Sequence, residues 1–149
     1  MFSFPVRIYY EDTDAGGVVY YANYLRYAER ARTEFIRSLG FEQKEGLDHE
    51  DKFGFMVRRV EIDYKSPAVL DDLLDVTAEL VEYKGASATI KQQVKRGDNV
   101  LAELVVTVVY VSYLKKRPTR IPEELVKLMT GATSATGATS ATGAASGAQ

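Results

Sequence analysis

Residues 9–23 read YYEDTDAGGVVYYAN, and residues 24–39 continue as YLRYAERARTEFIRSL. In the second stretch, apolar side chains recur at three- and four-residue steps, the spacing of one face of an amphipathic helix. They are Tyr24, Leu25, Ala28, Ala31, Phe35 and Leu39. Asn23 is a favoured N-cap residue and Gly40 is a favoured stop. The sequence therefore predicts a long helix between them.

A loop with two carboxylates precedes this helix. Asp12 and Asp14 stand just before Gly16 and Gly17, and glycine lets the backbone adopt positive φ and approach another group closely. The start of a helix carries unpaired N–H groups and a partial positive charge, which favour an anion. We call residues 12–20 the carboxylate loop. Its sequence predicts a carboxylate beside donors that can stabilise a developing oxyanion.

Alternating apolar and polar residues predict strands on both sides of the helix. The predicted strands cover residues 4–10, 54–65, 74–80, 88–94 and 100–111. In the second strand, a period of two places Met56, Val60 and Ile62 on one face. The last strand is nearly all apolar and β-branched, which predicts a central strand buried on both faces. Together the elements predict an α+β fold, with a five-stranded antiparallel sheet around one long helix.

Length and composition indicate one soluble domain with a tail. Residues 1–130 are expected to fold, with a short helix within residues 118–128, whereas residues 131–149 repeat Gly, Ala, Thr and Ser without charged or aromatic groups. We expect this tail to be disordered. No stretch has the length of a membrane span, and the N-terminus lacks a secretion signal. The sequence therefore predicts a cytoplasmic protein.

Charge and cysteine content exclude several classes of function. The formal net charge is −2, which provides no electrostatic footprint for nucleic acid. The chain has no cysteine, so disulfides, thiolate catalysis and cysteine-based zinc sites are excluded. His49 is the only histidine and lies in a polar stretch, where a surface histidine is the simpler interpretation. We therefore expect no metal and no cofactor.

One motif in the carboxylate loop resembles that of a known enzyme family. Residues 12–20, DTDAGGVVY, resemble the signature of hotdog-fold acyl-CoA thioesterases of the 4-hydroxybenzoyl-CoA thioesterase family. Residues 29–34, ERARTE, are similar to the YbgC-type branch of that family, and the similarity continues through residues 56–59 and 70–72. The resemblance implies a hotdog fold and hydrolysis of an acyl-CoA thioester to a free acid and CoA.

The resemblance also implies roles for residues in this loop. Asp14 would be the catalytic carboxylate, acting either as a nucleophile through an anhydride or as a general base on water. Backbone N–H groups from Gly17 to Tyr21, above all that of Tyr21, would hold the oxyanion. Asp12 is a weaker candidate for the catalytic carboxylate and is expected to orient the turn through an Asx-type hydrogen bond. A metal bound by the two carboxylates would lack further ligands nearby.

Tyr21 departs from the family pattern, because YbgC-type enzymes usually carry histidine at this position. A phenol keeps its proton at neutral pH and so is a poor general base, although it can donate a hydrogen bond. The departure leaves Asp14 as the main catalytic group. It also keeps open a second function, a non-catalytic or weakly active scaffold that binds acyl carrier protein or lipid-synthesis partners. A hydratase on this fold would pair a carboxylate with histidine. Because His49 lies outside the motif, the sequence argues against a hydratase.

Three further residues are expected to contact the CoA portion of the substrate. Lys65, Lys84 and Ser87 border the ends of predicted strands, and the resemblance implies that CoA phosphates and pantetheine pass such positions. A lysine can meet phosphate as a point charge, although a solvated turn lysine is an equally good interpretation of each. The resemblance also implies dimers with a continuous sheet, pairing of dimers into homotetramers, and active sites between protomers. Acyl carrier protein in place of CoA stays open.

Overall fold

The computed structural model describes residues 1–41 and 51–134. Its elements are β1 (Phe2–Arg7), a 3-10 turn (Tyr10–Asp12), α1 (Asn23–Ser38), β2 (Phe53–Tyr64), β3 (Leu73–Lys84), β4 (Ser87–Arg96), β5 (Asn99–Ser112), β6 (Arg117–Pro118) and α2 (Glu123–Ser134). The sheet is antiparallel in the order β1-β3-β4-β5-β2, and the two-residue β6 pairs with β5. The predicted α+β fold with one long helix is confirmed, and β6 adds a sixth, two-residue strand to the five that were predicted. Within these ranges, neither helix has the length and apolar character needed to cross a membrane.

The long helix packs its apolar face on one side of the sheet, which we call the inner face. The buried residues of α1 are Tyr24, Tyr27, Ala28, Ala31 and Phe35. They share one core with alternate residues of the strands, among them Leu74 and Val76 of β3 and Leu104 and Val106 of β5. The helix lies over β1, β3 and β4. The amphipathic period of the sequence therefore translates directly into a two-layer core.

The prediction for α1 is right at the C-terminal end of the helix and wrong at its N-terminal end. Gly40 has φ +68°, the left-handed conformation that ends a helix, as expected. The N-cap prediction is wrong, because Ala22 occupies that position in a helical conformation, and no side chain of the described residues caps it. Asn23 instead donates from Nδ2 to the Asp12 carbonyl at 2.9 Å. The helix start is therefore tied to the carboxylate loop.

The first strand ends earlier than residue 10. β1 stops at Arg7, and Tyr10 is exposed in the 3-10 turn. Backbone bonds explain the change of direction: the Ile8 N–H donates to the Asp72 carbonyl at 2.9 Å, and the Asp71 N–H donates to the Ile8 carbonyl at 3.0 Å. These bonds draw the chain toward the segment before β3 and so position the carboxylate loop beside it.

A β-bulge overturns the predicted faces of β2. The register shifts by one residue between Val57 and Arg59. Val57, opposite Val108, therefore shares the inner face with Val60, whereas Met56 points to the outer face. A simple period of two cannot reveal such an inserted residue, because the pattern of apolar side chains continues through it.

β5 is an interior strand that pairs with β4 and β2, as predicted, but the prediction that it is buried on both faces is wrong. Val106 on the inner face is fully buried, but Val105 on the outer face is 40% exposed. The middle strand of the order is β4, and β2 forms one edge of the sheet. The apolar composition of β5 therefore exceeds what burial within one chain requires.

The second helix runs past the predicted domain boundary at residue 130. α2 continues to Ser134, and Leu125 and Met129 are buried in the core. The Leu80 N–H of β3 donates to Thr133 Oγ1 at 2.9 Å, so the last turn of the helix contacts the sheet. Residues 135–149 and His49 lie outside the described residues, and the predicted disorder of the tail stays a prediction there.

Candidate active site

The carboxylate loop folds as a tight hairpin turn. An isolated bridge joins Thr13 to Val19. The Asp14 N–H donates to the Val18 carbonyl at 2.9 Å, and the Gly17 N–H donates to the Asp14 carbonyl at 3.0 Å. Gly17 has φ +80°. A short loop that closes on a left-handed glycine matches the twist of the segments it joins, so the sequence specifies this turn locally.

Asp14 holds an exposed carboxylate in this turn. Its Oδ1 accepts a hydrogen bond from the Gly16 N–H at 2.8 Å, which forms an Asx turn. A Cβ on residue 16 would lie 3.1 Å from that oxygen, so glycine leaves room for the carboxylate. Within residues 1–41 and 51–134, Oδ2 of Asp14 makes no hydrogen bond and is open to a reactant.

Asp12 occupies a structural position. Its Oδ2 accepts the Tyr9 N–H at 2.7 Å, and its carbonyl accepts the Tyr20 N–H and Asn23 Nδ2, both at 2.9 Å. Asp12 therefore orients the turn, although its side chain reaches back to residue 9 rather than forward. These bonds join the carboxylate loop to the first turn of α1. In the described ranges, no three acidic or histidine side chains gather as a metal site.

The start of α1 leaves a free donor beside this loop. The N–H groups of Gly17, Val19 and Tyr20 all donate to backbone carbonyls. In the part of the chain that the structure describes, neither the Tyr21 N–H nor the Ala22 N–H has an acceptor. The predicted oxyanion donor at Gly17 is therefore already used by Asp14. Among residues 1–41 and 51–134, Tyr21 thus finds no acceptor for its N–H, which lies at the positive end of the helix.

Two tyrosines that the sequence analysis did not propose as site residues lie beside Tyr21. Tyr64 of β2 donates from its hydroxyl to the Tyr21 carbonyl at 3.1 Å, and the two rings meet edge-on at 6.1 Å. The ring of Tyr24 lies 5.5 Å from that of Tyr64. Burial raises the pKa of Tyr64, so its hydroxyl remains a donor at neutral pH. Only the pairing of β2 beside α1 brings these rings together.

The buried Tyr27 of α1 lies close to Asp12. Burial raises the pKa of Tyr27, and the negative charge of Asp12 adds to the effect. Its hydroxyl does not reach hydrogen-bond geometry with any partner in the described residues, although Asp12 is near enough to act on it electrostatically. The Arg30 guanidinium lies 5.8 Å from the centre of the Tyr27 ring. Tyr27 therefore packs α1 beneath the carboxylate loop and presents no free group to the solvent.

The segment before β3 supports the loop. The Val19 N–H donates to the Ala68 carbonyl at 2.9 Å, and the Ala68 N–H donates to Tyr24 Oη at 3.0 Å. A second bridge joins Val18 to Val69. The loop is thus held between α1 and the sheet by contacts between residues far apart in the sequence.

Asp72 stabilises that segment in turn. Its Oδ2 accepts the Val69 N–H at 2.9 Å and Arg96 Nη1 at 2.7 Å. Burial on its own would raise the pKa of Asp72, but the two hydrogen bonds and the charge of Arg96 outweigh it and lower that pKa. In the sequence, residues 70–72 were noted only as part of the similarity to the thioesterase family.

Lys65 follows the end of β2, and its ammonium group is already paired. Its Nζ contacts Glu103 at 3.2 Å and Asp63 at 3.3 Å. Hydrogen bonds to Glu103 and Asp63 raise the pKa of Lys65. A phosphate would have to compete with two carboxylates for this ammonium group.

Lys84 and Ser87 lie at the other end of the sheet. They form the turn between β3 and β4, where Ser87 Oγ donates to the Lys84 carbonyl at 3.1 Å. β3 has twelve residues and its first residue, Leu73, adjoins the segment beside the carboxylate loop, so the turn is ~36 Å away along the strand. Within one chain, the structure does not bring these two residues to Asp14.

Comparison with known proteins identifies the family. The sequence profile of the Thioesterase-like superfamily matches residues 9–128, which include the carboxylate loop, α1 and all the long strands except β1. The chain belongs to this thioesterase superfamily. It is a thioester hydrolase with the hotdog fold, as the resemblance implied.

Curated members of the superfamily match most of the chain. The acyl-CoA thioesterase YbgC of Haemophilus influenzae is 48% identical over 124 residues, 83% of this chain and 90% of that protein. The acyl-CoA thioester hydrolase YbgC of Escherichia coli O6:H1 is 42% identical over 127 residues, 85% of this chain and 93% of that protein.

A solved thioesterase-superfamily structure matches the fold. The crystal structure of a probable thioesterase from Bartonella henselae is 34% identical, with a TM-score of 0.72, and the match covers 81% of this chain and 97% of that one. The similarity therefore extends from the sequence motif to the arrangement of the sheet and the long helix.

Proposed function

We propose that this thioesterase hydrolyses acyl-CoA to a free acid and CoA, with Asp14 as the catalytic carboxylate and the Tyr21 N–H as the oxyanion donor. The names of the YbgC relatives support the substrate class. The residues of this chain support the roles: Asp14 has an open oxygen, and Tyr21 has an open donor at the start of a helix. The unpaired N–H beside a carboxylate loop is the observation that carries the proposal.

Both forms of carboxylate catalysis fit this arrangement. As a nucleophile, Asp14 would attack the thioester carbonyl carbon, the C–S bond would break, and water would hydrolyse the resulting anhydride. As a general base, Asp14 would take a proton from water while the water oxygen attacks the same carbon. In either case the carbonyl oxygen becomes negative, and the Tyr21 N–H with the helix dipole would stabilise it. The proton finally resides on the released CoA thiol.

The decisive experiment is a thiol-release assay on Asp14→Asn. The amide keeps the shape of the side chain but neither attacks nor accepts a proton, so we expect kcat to fall by about 10²–10⁴-fold. Glu11→Gln is the matched control, because it removes an exposed charge from the same region without touching Asp14. Near wild-type turnover in Asp14→Asn would disprove the assignment, and so would a larger loss in Asp12→Asn.

The role of Tyr21 has its own test. If its backbone N–H is the donor, Tyr21→Phe should retain most of the activity, because the substitution leaves the backbone in place. Tyr21→His would restore the residue usual in the YbgC type and should add a titration near pH 6.5 to the pH–rate profile. Collapse of activity in Tyr21→Phe, in a variant that melts like wild type, would show that the phenol itself acts.

A second candidate function follows from the same position. Because Tyr21 replaces the usual histidine, a weakly active or non-catalytic scaffold for acyl carrier protein or lipid-synthesis partners is the alternative. The two functions separate in one experiment: wild-type protein is assayed for thiol release from acyl-CoA and from acyl carrier protein loaded with the same acyl group. Binding of the carrier protein without release of thiol from either substrate would favour the scaffold.

We infer in addition that the chain forms homodimers through β2, and that dimers pair into tetramers. β2 is an edge strand, and Met56, Val57 and Val60 on it are exposed apolar side chains. A second copy would also be the source of Lys84 and Ser87 at the CoA portion of the substrate. Sedimentation of the wild type and of a Val60→Lys variant tests this, since a charge there should shift the protein to monomers. The cytoplasmic location remains a prediction of the sequence.

A further inference from the structure

A cavity of about 490 Å³ opens between α1 and β2. Its walls are mainly apolar side chains, including Ile36 of α1, Phe55 of β2 and Val108 of β5. Two charged side chains of α1, Glu29 and Arg32, also reach it. The cavity therefore has the size and lining of a site for an apolar chain, with one cation in its wall.

Arg32 has no anionic partner in this wall. Its Nη1 donates to Gln92 Oε1 at 3.0 Å, and within residues 1–41 and 51–134 no carboxylate forms an ion pair with it. Burial lowers the pKa of Arg32, and the exposed Glu29 opposes this shift only from a distance. Arg32 is half-buried, and a guanidinium that gives up part of its water gains from an anionic acceptor, which residues 1–41 and 51–134 do not supply.

Gln92 holds the guanidinium in place. This amide is fully buried at the centre of the sheet, where its Nε2 donates to the Ala28 carbonyl at 3.0 Å and to the Thr77 carbonyl at 3.2 Å. Both donors are used, so the oxygen is fixed toward Arg32. A fully bonded amide in a low-dielectric core is rigid, and it orients the group it contacts. The arginine is therefore positioned rather than loosely solvated.

An exposed apolar strip runs from the residues that line the cavity to the residues beside Tyr21. Leu25 lies one helical turn before Glu29, and Val60 follows Val57 on the inner face of β2; both are exposed apolar side chains. Because Gln92 bonds the Ala28 carbonyl, the Arg32 guanidinium lies near the level of residue 28, ~11 Å along the helix from Tyr21. An acyl group of medium length held at the Tyr21 N–H would bring its far end to Arg32.

We propose that Arg32 binds a carboxylate at the far end of the acyl group, so that the enzyme prefers medium-length acyl-CoA substrates whose chain ends in a carboxylate. Arginine binds carboxylates through two parallel hydrogen bonds, which gives both affinity and orientation. The inference rests on the proposed hydrolysis at Asp14 and Tyr21, because it concerns the other end of the same substrate. Glu29 at the mouth of the cavity disfavours a second negative group there.

The test compares matched substrates. kcat/KM is measured for hexanoyl-CoA against adipoyl-CoA and for octanoyl-CoA against suberoyl-CoA, which differ by the terminal carboxylate. We expect the wild type to prefer one of the carboxylate-ended substrates by about tenfold or more, the effect of a charge-assisted hydrogen bond. Hydrolysis of plain chains without that preference would overturn the inference and leave the proposed function standing. No hydrolysis of any substrate would reject the proposed function itself.

Variants identify the residue responsible. Arg32→Gln should bring the preference ratio close to one, and Arg32→Lys, which keeps the charge but not the planar fork, should retain part of it. Arg37→Gln is the matched control, since Arg37 is an exposed arginine of the same helix that pairs with Glu34, and its ratio should equal that of the wild type. If Arg32→Gln is unstable, the Lys variant decides, because an unchanged ratio there contradicts bidentate recognition. An unchanged ratio in Arg32→Gln with weakened self-association would assign Arg32 to a contact between copies and overturn the inference.

Discussion

Val76 and Val57 point to the same inner face of the sheet, but α1 covers only one of them. Val76 of β3 is 0% exposed, whereas Val57 of β2 is 46% exposed. The half of the sheet formed by β1, β3 and β4 completes its core within the chain, because the helix lies over it. The β2 edge borders the open cavity instead.

This difference separates residues that make the fold from residues that meet a second surface. Val60 and Tyr64 continue the exposed strip beyond Val57 on the inner face of β2. Apolar side chains on an unpaired edge strand favour contact with another chain or a ligand. The proposed acyl path and the proposed dimer contact both use this strip, while the covered half supplies the stability.

The largest expected effect contrasts the two halves directly. Phe35→Ala, in the covered half at 1% exposure, should lower the free energy of unfolding by about 3–5 kcal/mol, because it removes a buried ring and leaves a cavity. Val57→Ala should cost less than about 1 kcal/mol. Urea unfolding at a protein concentration low enough to dissociate oligomers measures both. Equal losses would refute the division into a covered and an open half.

The next largest loss of unfolding free energy is expected at the Asp72–Arg96 pair, which lies at the end of the covered strands. Asp72→Asn should cost about 1–2 kcal/mol, because Arg96 and the Val69 N–H lose a charged acceptor. The lowered pKa of Asp72 means that this contribution is complete above about pH 4 and is lost as pH falls below it.

The matched control for that pair is Asp71→Asn. Asp71 has φ +71°, which asparagine also tolerates, so this substitution should be nearly neutral. Unfolding curves at neutral pH and at pH 3 for both variants measure the difference. Wild type and Asp72→Asn should converge in acid, and a constant gap would contradict the assigned role.

The last turn of α2 should contribute about as much to the free energy of unfolding as one hydrogen bond. Removal of residues 131–149 takes away the Thr133 hydroxyl that accepts the Leu80 N–H and should cost about 1 kcal/mol. Removal of residues 135–149 alone should change neither the melting temperature nor the rate of hydrolysis. Scanning calorimetry of the two truncations decides between a boundary at residue 130 and one at residue 134. A large loss from the shorter truncation would show that the tail docks.

The smallest effect is expected on the open side. Tyr64→Phe removes the hydroxyl that donates to the Tyr21 carbonyl and should cost about 0.5 kcal/mol, because this hydrogen bond is exposed. Tyr83→Phe, on β3, is the control, since the Tyr83 hydroxyl is exposed and makes no hydrogen bond in the described ranges. A loss above that of Asp72→Asn would mean that β2 is tied to α1 more tightly than its exposure indicates.

The elements that the sequence predicted well depend on neighbouring residues. The helix from residue 23 follows from its apolar period, and its end at Gly40 follows from a left-handed φ that glycine adopts readily. The turn around Asp14 is specified in the same way by Gly16 and Gly17. The N-cap prediction failed at Asn23 because a carbonyl from the carboxylate loop competed for its side chain.

The features of the site that the sequence did not predict depend on residues far apart in the chain. The bulge after Val57 changed which side chains face inward. Because Asp14 uses the Gly17 N–H, the unpaired N–H groups at the helix start, among the described residues, are those of Tyr21 and Ala22. Neither Arg32 nor Gln92 stood out in the sequence, since an arginine on a charged helix is usually solvated and a glutamine in a strand is usually polar surface. Their importance appears only when strand pairing places them together.

The sequence by itself determined the class of fold, the long helix, the carboxylate turn and the family, because all of these depend on local periods and on a contiguous motif. Only the tertiary structure decided which face of each strand is covered, which N–H at the helix start is free, and which charged side chain lies in the apolar cavity. The reason is physical. Burial, register and desolvation are properties of pairs of segments far apart in the chain, and a pattern within either segment cannot contain them.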